Sequence, residues 1–178
     1  MKRISVLLTV IYLCFGINLL NAQTECSNLS VEDKGFIQFT KQNEPGETLI
    51  IYGKVIDSSQ GMPIKNASLF LYQTNSDGHY KSSFFGIPRY AKIRGKVQVN
   101  DLGCFKIQTI LPGDYPGAKN NKHIHFELKA KGFKTIRQEF LFDNFLNDEM
   151  RKHAIQDNTG VILKIKKDET GIWIGTAN

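Results

Sequence analysis

Two histidines separated by one residue are the strongest chemical signal in the sequence. His123 and His125 alternate with the apolar residues Ile124, Phe126 and Leu128. In a β-strand alternate side chains share a face, so the two imidazoles point the same way, about 6 to 7 Å apart along the strand. Two imidazoles on one face can bind a single metal ion. The pair alone is weak evidence, because two half-exposed histidines on the solvent face of an edge strand would show the same spacing.

The elements that must position these histidines are predicted to be short β-strands. From Thr48 onward, segments rich in β-branched and aromatic residues are separated by turn clusters of Gly, Asn and Asp. The segments are Thr48–Ile56, Ala67–Gln73, Gly95–Val99, Cys104–Ile110, His123–Lys129, Thr135–Phe142 and Gly160–Lys166. This spacing predicts an all-β fold, a sandwich or barrel of mostly antiparallel sheet.

Other parts of the chain show weaker patterns. Glu32–Gln42 is compatible with a short helix or a strand, whereas Asn144–Ile155 is predicted to hold one or two helical turns, with acidic residues early and basic residues late. Trp173 lies in an alternating segment typical of a last strand, and its side chain is predicted to join the core. His79 and His153 are given no chemical role.

Several motifs occur together in an order typical of one enzyme family. They are Gly53–Asp57 followed by Gly61–Ala67, then Tyr72–Tyr80, Arg94–Gly95, Gly103–Pro116 and His123–Phe126. Together they resemble the successive signatures of the intradiol ring-cleavage dioxygenases, the catechol and protocatechuate dioxygenases. The resemblance extends over about Leu49–Phe142 and implies an antiparallel β-sandwich of prealbumin-like type with little helix.

The resemblance also implies a ferric iron centre. In that family the ligands are a tyrosine closing an Asp-Gly-x-Tyr turn, a tyrosine after Pro-Gly-x and both histidines of His-x-His. The matching residues here are Tyr80, Tyr115, His123 and His125. Phenolates are hard anionic donors, and two of them beside two neutral imidazoles suit Fe(III) better than Zn(II). Taken singly, each tyrosine is compatible with a loop aromatic whose hydroxyl faces water.

The activity implied by the resemblance is cleavage of a catecholic diol by O2. The diol binds Fe(III) as a dianion, and the ring opens between the two hydroxyl-bearing carbons to give a muconate-type diacid. Tyr115 matches the ligand that the family releases, so we expect it to take a proton from the substrate. Tyr80 is expected to stay on the metal.

Two positions depart from the family pattern. The arginine that commonly lies three residues before the first histidine is replaced by Asn120. We expect Lys119 and Lys122, which flank it in a shortened loop, to supply the missing positive charge; the alternative is that they are solvated loop cations. Gln138 is expected to be the glutamine that the family carries in the next strand, although a one-residue slip would place Glu139 there.

The N-terminus has the layout of a secretory signal peptide. A basic pair precedes the apolar run Val6–Leu20, and polar residues begin after Ala22. A membrane anchor or a buried core helix is the alternative, but the run is short for a membrane span and no basic cluster follows it. We therefore expect an exported protein with a signal at 1–22, an N-terminal segment at 23–47 and one β-sandwich domain at 48–178.

Charge and cysteine content limit the partners and the compartment. The formal net charge is +6, the lysines are scattered, and no basic stripe alternates with aromatics, which argues against nucleic-acid binding. Cys14 would leave with the signal, so Cys26 and Cys104 remain as a pair. In an oxidising compartment they would form a disulfide, and the alternative is two buried free thiols.

A second class of function is a non-catalytic, prealbumin-like β-sandwich that binds a ligand in the cell envelope. It would explain the predicted fold and export. It gives no reason for four iron-type ligands to occur in register. The identity of the diol and the oligomeric state, a homo-oligomer included, stay open.

Overall fold

The computed structural model describes residues 24–82 and 85–177, whose strands form two five-stranded sheets. The predicted signal segment therefore lies outside the described residues. In chain order the elements are β1 (Phe36–Gln38), β2 (Thr48–Lys54), β3 (Ser68–Gln73), a 3-10 helix (Pro88–Tyr90), β4 (Ile93–Gln98), β5 (Cys104–Ile110), β6 (Asn121–Lys129), β7 (Ile136–Leu146), α1 (Asp148–Gln156), β8 (Gly160–Leu163), β9 (Ile165–Lys167) and β10 (Trp173–Ala177).

The two sheets pack face to face around one apolar core. The first has the strand order β1-β5-β2-β10-β9 and the second β4-β3-β6-β7-β8. Strand β2 contributes fully buried Leu49 and Ile51, while the second sheet contributes Leu71, Ile124 and Phe142 to the same cluster. Alternate residues of each strand point inward, as period-2 patterning requires. The expectation of an all-β sandwich with little helix is confirmed.

The second sheet is also covered on its outer face. Helix α1 packs Ala154 against Leu141 and Leu146 of β7. On the other side of β6, Arg89 of the 3-10 helix lies over the ring of Phe70 from β3, 4.6 Å from its centre. Outward-facing side chains of β6, which lies between β3 and β7, are therefore partly shielded from water.

Helix α1 begins at a capped residue. The Asn147 side chain accepts a hydrogen bond of 2.9 Å from the Met150 N–H, and acidic residues occupy the first turn. The predicted helical region Asn144–Ile155 starts too early, because β7 continues to Leu146. Among the described residues, no helix has the length and apolarity that a membrane crossing requires.

The prediction of a single strand at Gly160–Lys166 is wrong. Strand β8 pairs in parallel with β7 in the second sheet, whereas β9 pairs with β10 in the first. The chain changes sheets at Lys164, and Leu163 and Ile165 are both buried in the core between the sheets. The apolar pattern is therefore continuous across the crossing, which makes two strands look like one. In Glu32–Gln42, only Phe36–Gln38 forms a strand.

The segment before β2 is tied to the sandwich at two places. Strand β1 pairs in parallel with β5, and a disulfide joins Cys26 to Cys104 at the start of β5. Leu29, Phe36 and Tyr52 pack around the disulfide. The two cysteines thus adopt the disulfide alternative.

Loss of this disulfide is expected to destabilise the fold, because the bond spans 78 residues and restricts the unfolded chain. The double variant Cys26→Ser/Cys104→Ser should lose about 2 to 5 kcal/mol of unfolding free energy in guanidinium denaturation. Reductant should destabilise the native protein similarly and leave the double variant unchanged. A native protein whose denaturation midpoint ignores reductant would contradict this.

Candidate metal centre

Four side chains from three parts of the chain meet on the outer face of the second sheet. The Tyr80 hydroxyl lies 2.8 Å from His125 Nε2, and the Tyr115 hydroxyl lies 2.8 Å from His123 Nε2 and 3.4 Å from His125 Nε2. The two Nε2 atoms are 3.2 Å apart, and the two hydroxyls are in hydrogen-bond contact. The structure thus brings together the four residues that the sequence pattern selected as ligands.

The histidines reach this point because β6 alternates. Ile124 and Phe126 face the core, so His123 and His125 face outward. Each ring has an acceptor at its other nitrogen: His123 Nδ1 donates to the Asn121 carbonyl at 2.6 Å, and His125 Nδ1 lies 3.1 Å from a Glu139 carboxylate oxygen. In these tautomers both Nε2 atoms carry a free lone pair, which is the form that binds a metal.

Tyr80 lies at the end of a tight loop after β3. The Asn75 side-chain oxygen accepts the His79 N–H at 2.9 Å, and the Asn75 carbonyl accepts the Gly78 N–H at 3.1 Å. His79 itself is exposed, so it stays a surface histidine as predicted. The loop turns the Tyr80 ring toward the sheet, where it lies beside Tyr72, with ring centres 6.2 Å apart.

Tyr115 lies in the loop that enters β6, and Asn121 holds this loop in place. The Tyr115 N–H donates to the Asn121 side-chain oxygen at 3.0 Å, and the Asn121 N–H donates to Asp114 at 2.8 Å. Asn121 also orients His123 through its carbonyl. One buried asparagine thus connects a tyrosine to a histidine of the centre.

The two tyrosine loops touch backbone to backbone. The Gly113 N–H donates to the Asn75 carbonyl at 2.8 Å, and the Thr74 hydroxyl donates to the Gly113 carbonyl at 3.0 Å. A Cβ on Gly78 would lie 1.7 Å from the Asp114 carbonyl oxygen, and one on Gly113 would lie 2.3 Å from the Ser76 oxygen. Only glycine permits this approach.

Burial keeps the two phenols and His123 uncharged when no cation is near. It raises the pKa of Tyr80, and it also raises that of Tyr115 despite an opposing hydrogen bond from Tyr80. Burial likewise lowers the pKa of His123. At neutral pH the phenols are therefore protonated and His123 is neutral. A bound cation would supply the field needed to form phenolates, with release of protons.

This donor set fits ferric iron. The separations of 2.8 to 3.4 Å between these neighbouring donors match the edges of a coordination shell whose bonds are about 2 Å long. Phenolate oxygens are hard, imidazoles are borderline, and no described residue adds a thiolate, since Cys26 and Cys104 are bonded to each other. The four residues are therefore the ones that would hold the metal.

The sequence analysis selected Gln138 for the next strand, but the structure brings Glu139 to the centre. The register pairs His125 with Glu139 and Phe126 with Gln138, so Gln138 lies on the core side of β7. The Gln138 amide donates to the Asn158 carbonyl at 2.5 Å, away from the histidines. The alternative considered for the sequence, in which a one-residue slip places Glu139 at this position, is the arrangement that the structure shows.

The structure does not place the two loop lysines at the centre. The Lys122 ammonium donates to the Pro112 carbonyl at 3.1 Å, lies 3.6 Å from Asp114 and lies over the ring of Phe145. Strand alternation accounts for this, because Lys122 precedes His123 and points to the opposite face. Lys119 is exposed. Lys122 therefore points away from the four donors, and the role of either lysine as the replacement for the missing arginine stays a prediction.

Sequence reasoning also missed Tyr72 and Asn121. The Tyr72 ring stacks on His125 at 4.6 Å between ring centres. The available signal was alternation on β3, because Tyr72 is opposite His125 in the sheet and shares its face. For Asn121 no sequence signal distinguished it from the neighbouring loop residues.

A cavity of about 230 Å³ adjoins the centre beside His125 and Glu139. It is lined by Tyr72, Arg89, His125, Phe126, Glu127, Arg137, Gln138, Glu139 and Thr159. Hydrogen bonds from Lys129 and Arg89 lower the pKa of buried Glu127 to about 2, and Arg137 adds a third cation. A larger groove of about 890 Å³ lies along β1 and contains none of the four donors.

Comparison with known proteins identifies relatives of this arrangement. The family model described as Dioxygenase matches residues 24–171. The 6-chlorohydroxyquinol 1,2-dioxygenase of Cupriavidus pinatubonensis is 28% identical over 107 residues, 51% of this chain and 38% of that protein. The catechol 1,2-dioxygenase of Acinetobacter baylyi is 26% identical over 125 residues, 59% of this chain and 39% of that protein. The chain thus spans well under half the length of these curated relatives.

Solved structures share the fold. The dioxygenase domain of a dioxygenase carbohydrate-binding protein fusion from Streptomyces sp. SirexAA-E superposes with a TM-score of 0.63 at 20% identity, covering 84% of this chain and 90% of that one. Catechol 1,2-dioxygenase from Pseudomonas arvilla C-1 gives 0.62 at 19% identity, covering 83% and 57%. At these identities the matches establish the shared sandwich.

The contact between the two tyrosine loops can be tested with matched glycine variants. Gly78 and Gly132 have φ angles of +81° and +85°, but a Cβ at Gly132 meets nothing within 4 Å. Gly132→Ala should therefore lose only about 1 to 2 kcal/mol of unfolding free energy, from backbone strain. Gly78→Ala should lose more and also weaken iron binding at least about tenfold, or 1.4 kcal/mol. Equal effects of both changes on stability and iron content would contradict this interpretation.

Proposed function

The chain belongs to the intradiol ring-cleavage dioxygenase family. We propose that it is an iron-dependent enzyme and that it is exported. The proposed substrates are O2 and a catecholic diol. Both oxygen atoms enter the product, a muconate-type diacid. The observation that carries the proposal is the convergence of the Tyr80 and Tyr115 hydroxyls with Nε2 of His123 and His125.

The proposed metal is non-haem Fe(III). When bound, it would act as a Lewis acid and lower the pKa of the diol hydroxyls. His123 and His125 would hold it through Nε2, since their Nδ1 atoms face the Asn121 carbonyl and the Glu139 carboxylate. Tyr80 would hold it as well, since its ring is fixed between neighbours, with ring centres 6.2 Å from His125 and 5.8 Å from Tyr115.

Tyr115 is proposed to move a proton. Burial raises the pKa of Tyr115, so its phenolate is a strong base. On leaving the metal, the Tyr115 oxygen would accept a proton from a substrate hydroxyl. The choice of Tyr115 rather than Tyr80 as the released ligand rests on its match to the Pro-Gly-x-Tyr segment of the family.

Export is proposed on two grounds. The first 22 residues have the charge and hydropathy layout of a signal peptide. The Cys26–Cys104 disulfide is of the kind that persists in oxidising compartments.

The roles of the two tyrosines are testable by removing one hydroxyl at a time. Iron-loaded mature protein should contain about one iron per chain and absorb in the visible through tyrosinate bonded to Fe(III). With catechol bound, Tyr80→Phe should lose most of this band, whereas Tyr115→Phe should keep it. Turnover of Tyr115→Phe should fall by about 10²-fold, since a proton acceptor is lost.

Tyr52→Phe is the matched control, because Tyr52 packs beside the disulfide in the first sheet. It should behave as the native protein. Identical catechol-bound spectra for Tyr80→Phe and Tyr115→Phe would contradict the assigned roles.

The reaction itself is tested by aerobic assay of the iron-loaded protein with a small panel of catechols. We expect one O2 consumed for each diacid formed. Iron binding without ring cleavage of any diol would contradict the proposed activity, and would favour the non-catalytic binding module. Stoichiometric zinc, or no metal after iron reconstitution, would contradict the metal assignment.

A further inference from the structure

The two histidines of the centre are held by chemically different partners. His123 Nδ1 donates to a backbone carbonyl, that of Asn121, at 2.6 Å. His125 Nδ1 lies 3.1 Å from a carboxylate oxygen of Glu139. A carbonyl is a neutral dipole, whereas a carboxylate carries a full negative charge and accepts a stronger hydrogen bond. The two imidazoles are therefore inequivalent as donors.

Sheet geometry holds Glu139 at this position. It is directly opposite His125 in the β6–β7 pairing, and in the β7–β8 pairing it is opposite Gly160. Its backbone N–H donates to the Thr159 carbonyl at 3.2 Å. The strands on both sides of β7 thus fix the backbone at Glu139. The Glu139 side chain lies next to the His125 imidazole on the same face of the sheet.

The Glu139 carboxylate has no stronger cation to pair with. Arg89 and Arg137 line the same cavity, but both bind Glu127. Within residues 24–82 and 85–177, no lysine or arginine forms an ion pair with Glu139. The negative charge of the Glu139 carboxylate therefore acts on the His125 imidazole.

We propose that Glu139 is a positioning residue that selects the Nδ1–H tautomer of His125 and makes this imidazole the stronger of the two histidine donors. This proposal depends on the proposed function in one respect: it takes the four convergent residues as metal ligands. Through the imidazole, the carboxylate adds negative charge to the centre. This charge would stabilise Fe(III) relative to Fe(II) and so lower the reduction potential.

Direct ligation by Glu139 is a different arrangement, which the geometry disfavours. One ligand atom from each of His123, His125 and Glu139 lies within 4.8 Å of the others. The carboxylate, however, is on the Nδ1 side of His125, while both tyrosine hydroxyls and His123 Nε2 are on its Nε2 side. One ion cannot bind both nitrogens of the same ring.

Two substitutions separate the hydrogen bond from the charge. Glu139→Gln keeps an acceptor oxygen but removes the charge, and Glu139→Ala removes both. Gln138→Ala is the control, because the adjacent side chain points to the other face and binds Asn158. Circular dichroism and thermal melting establish that each variant is folded before its metal site is measured.

The first readout uses metal-free mature protein, so it does not depend on iron or on ring cleavage. Nitrogen-15 chemical shifts of the His125 ring should show the Nδ1–H tautomer in the native protein, in Glu139→Gln and in Gln138→Ala. In Glu139→Ala the Nε2–H tautomer should gain population. An unchanged tautomer in Glu139→Ala would overturn the positioning role.

The second readout is the Fe(III)/Fe(II) couple and iron retention against a chelator. Both Glu139 variants should show a more positive potential than the native protein, and Glu139→Ala should lose iron about 10 to 100 times more readily. Gln138→Ala should match the native protein in both measurements. Native values for Glu139→Gln and Glu139→Ala would overturn the proposal. Loss of iron from Glu139→Gln as complete as from His125→Ala would overturn it in favour of direct ligation.

Failure of the proposed function has a different signature. If the native protein binds iron and shows the expected tautomer and potential shifts but cleaves no catechol, the Glu139 inference stands and the enzymatic proposal fails.

Discussion

Burial of β6 on both of its faces is the constraint on which the metal centre depends. Ile124 and Phe126 occupy the core between the sheets, and His123 is almost as buried on the outer face. A slip of one residue would exchange the two sets and place imidazoles among apolar side chains. The register of this strand is therefore strongly determined. The burial of the apolar residues between and after the two histidines therefore determines the face to which the histidine side chains point.

The tyrosines require a different kind of constraint, because they lie in loops. Side-chain amides substitute there for strand pairing: Asn75 orders the turn before Tyr80, and Asn121 holds Tyr115 next to His123. The close approach at Gly78 and Gly113 then joins the loops to each other. The geometry of the centre thus depends on small and amide side chains that donate nothing to a metal.

Much of the fold and the direction of the two histidines could be predicted from local pattern, whereas Tyr80 and Tyr115 were selected by the resemblance to a known family. Alternation in His123–Leu128 predicted both the strand and the face of the histidines. The same alternation applied one residue earlier would have placed Lys122 away from the site. Glu139 could not be chosen over Gln138 from the sequence, because the choice depends on cross-strand register, and the β6–β7 pairing shifts between Asn121 and His123. The division of Gly160–Lys166 into two strands was hidden for a similar reason, since both halves bury side chains in the same core.

The charges on the outer face are arranged in two separate groups. Glu127 binds three cations, Arg89, Lys129 and Arg137, within one network whose members satisfy each other. Four residues earlier on the same face of β6 lies His123, which burial holds in its uncharged form together with the two phenols. Donors of this kind become ligands only when a cation offsets the free energy of deprotonating two phenols in a buried site. The free energy of deprotonating the phenols rises with their burial, so weakly polarising cations bind this centre poorly. This discrimination between metals is additional to any that arises from coordination geometry.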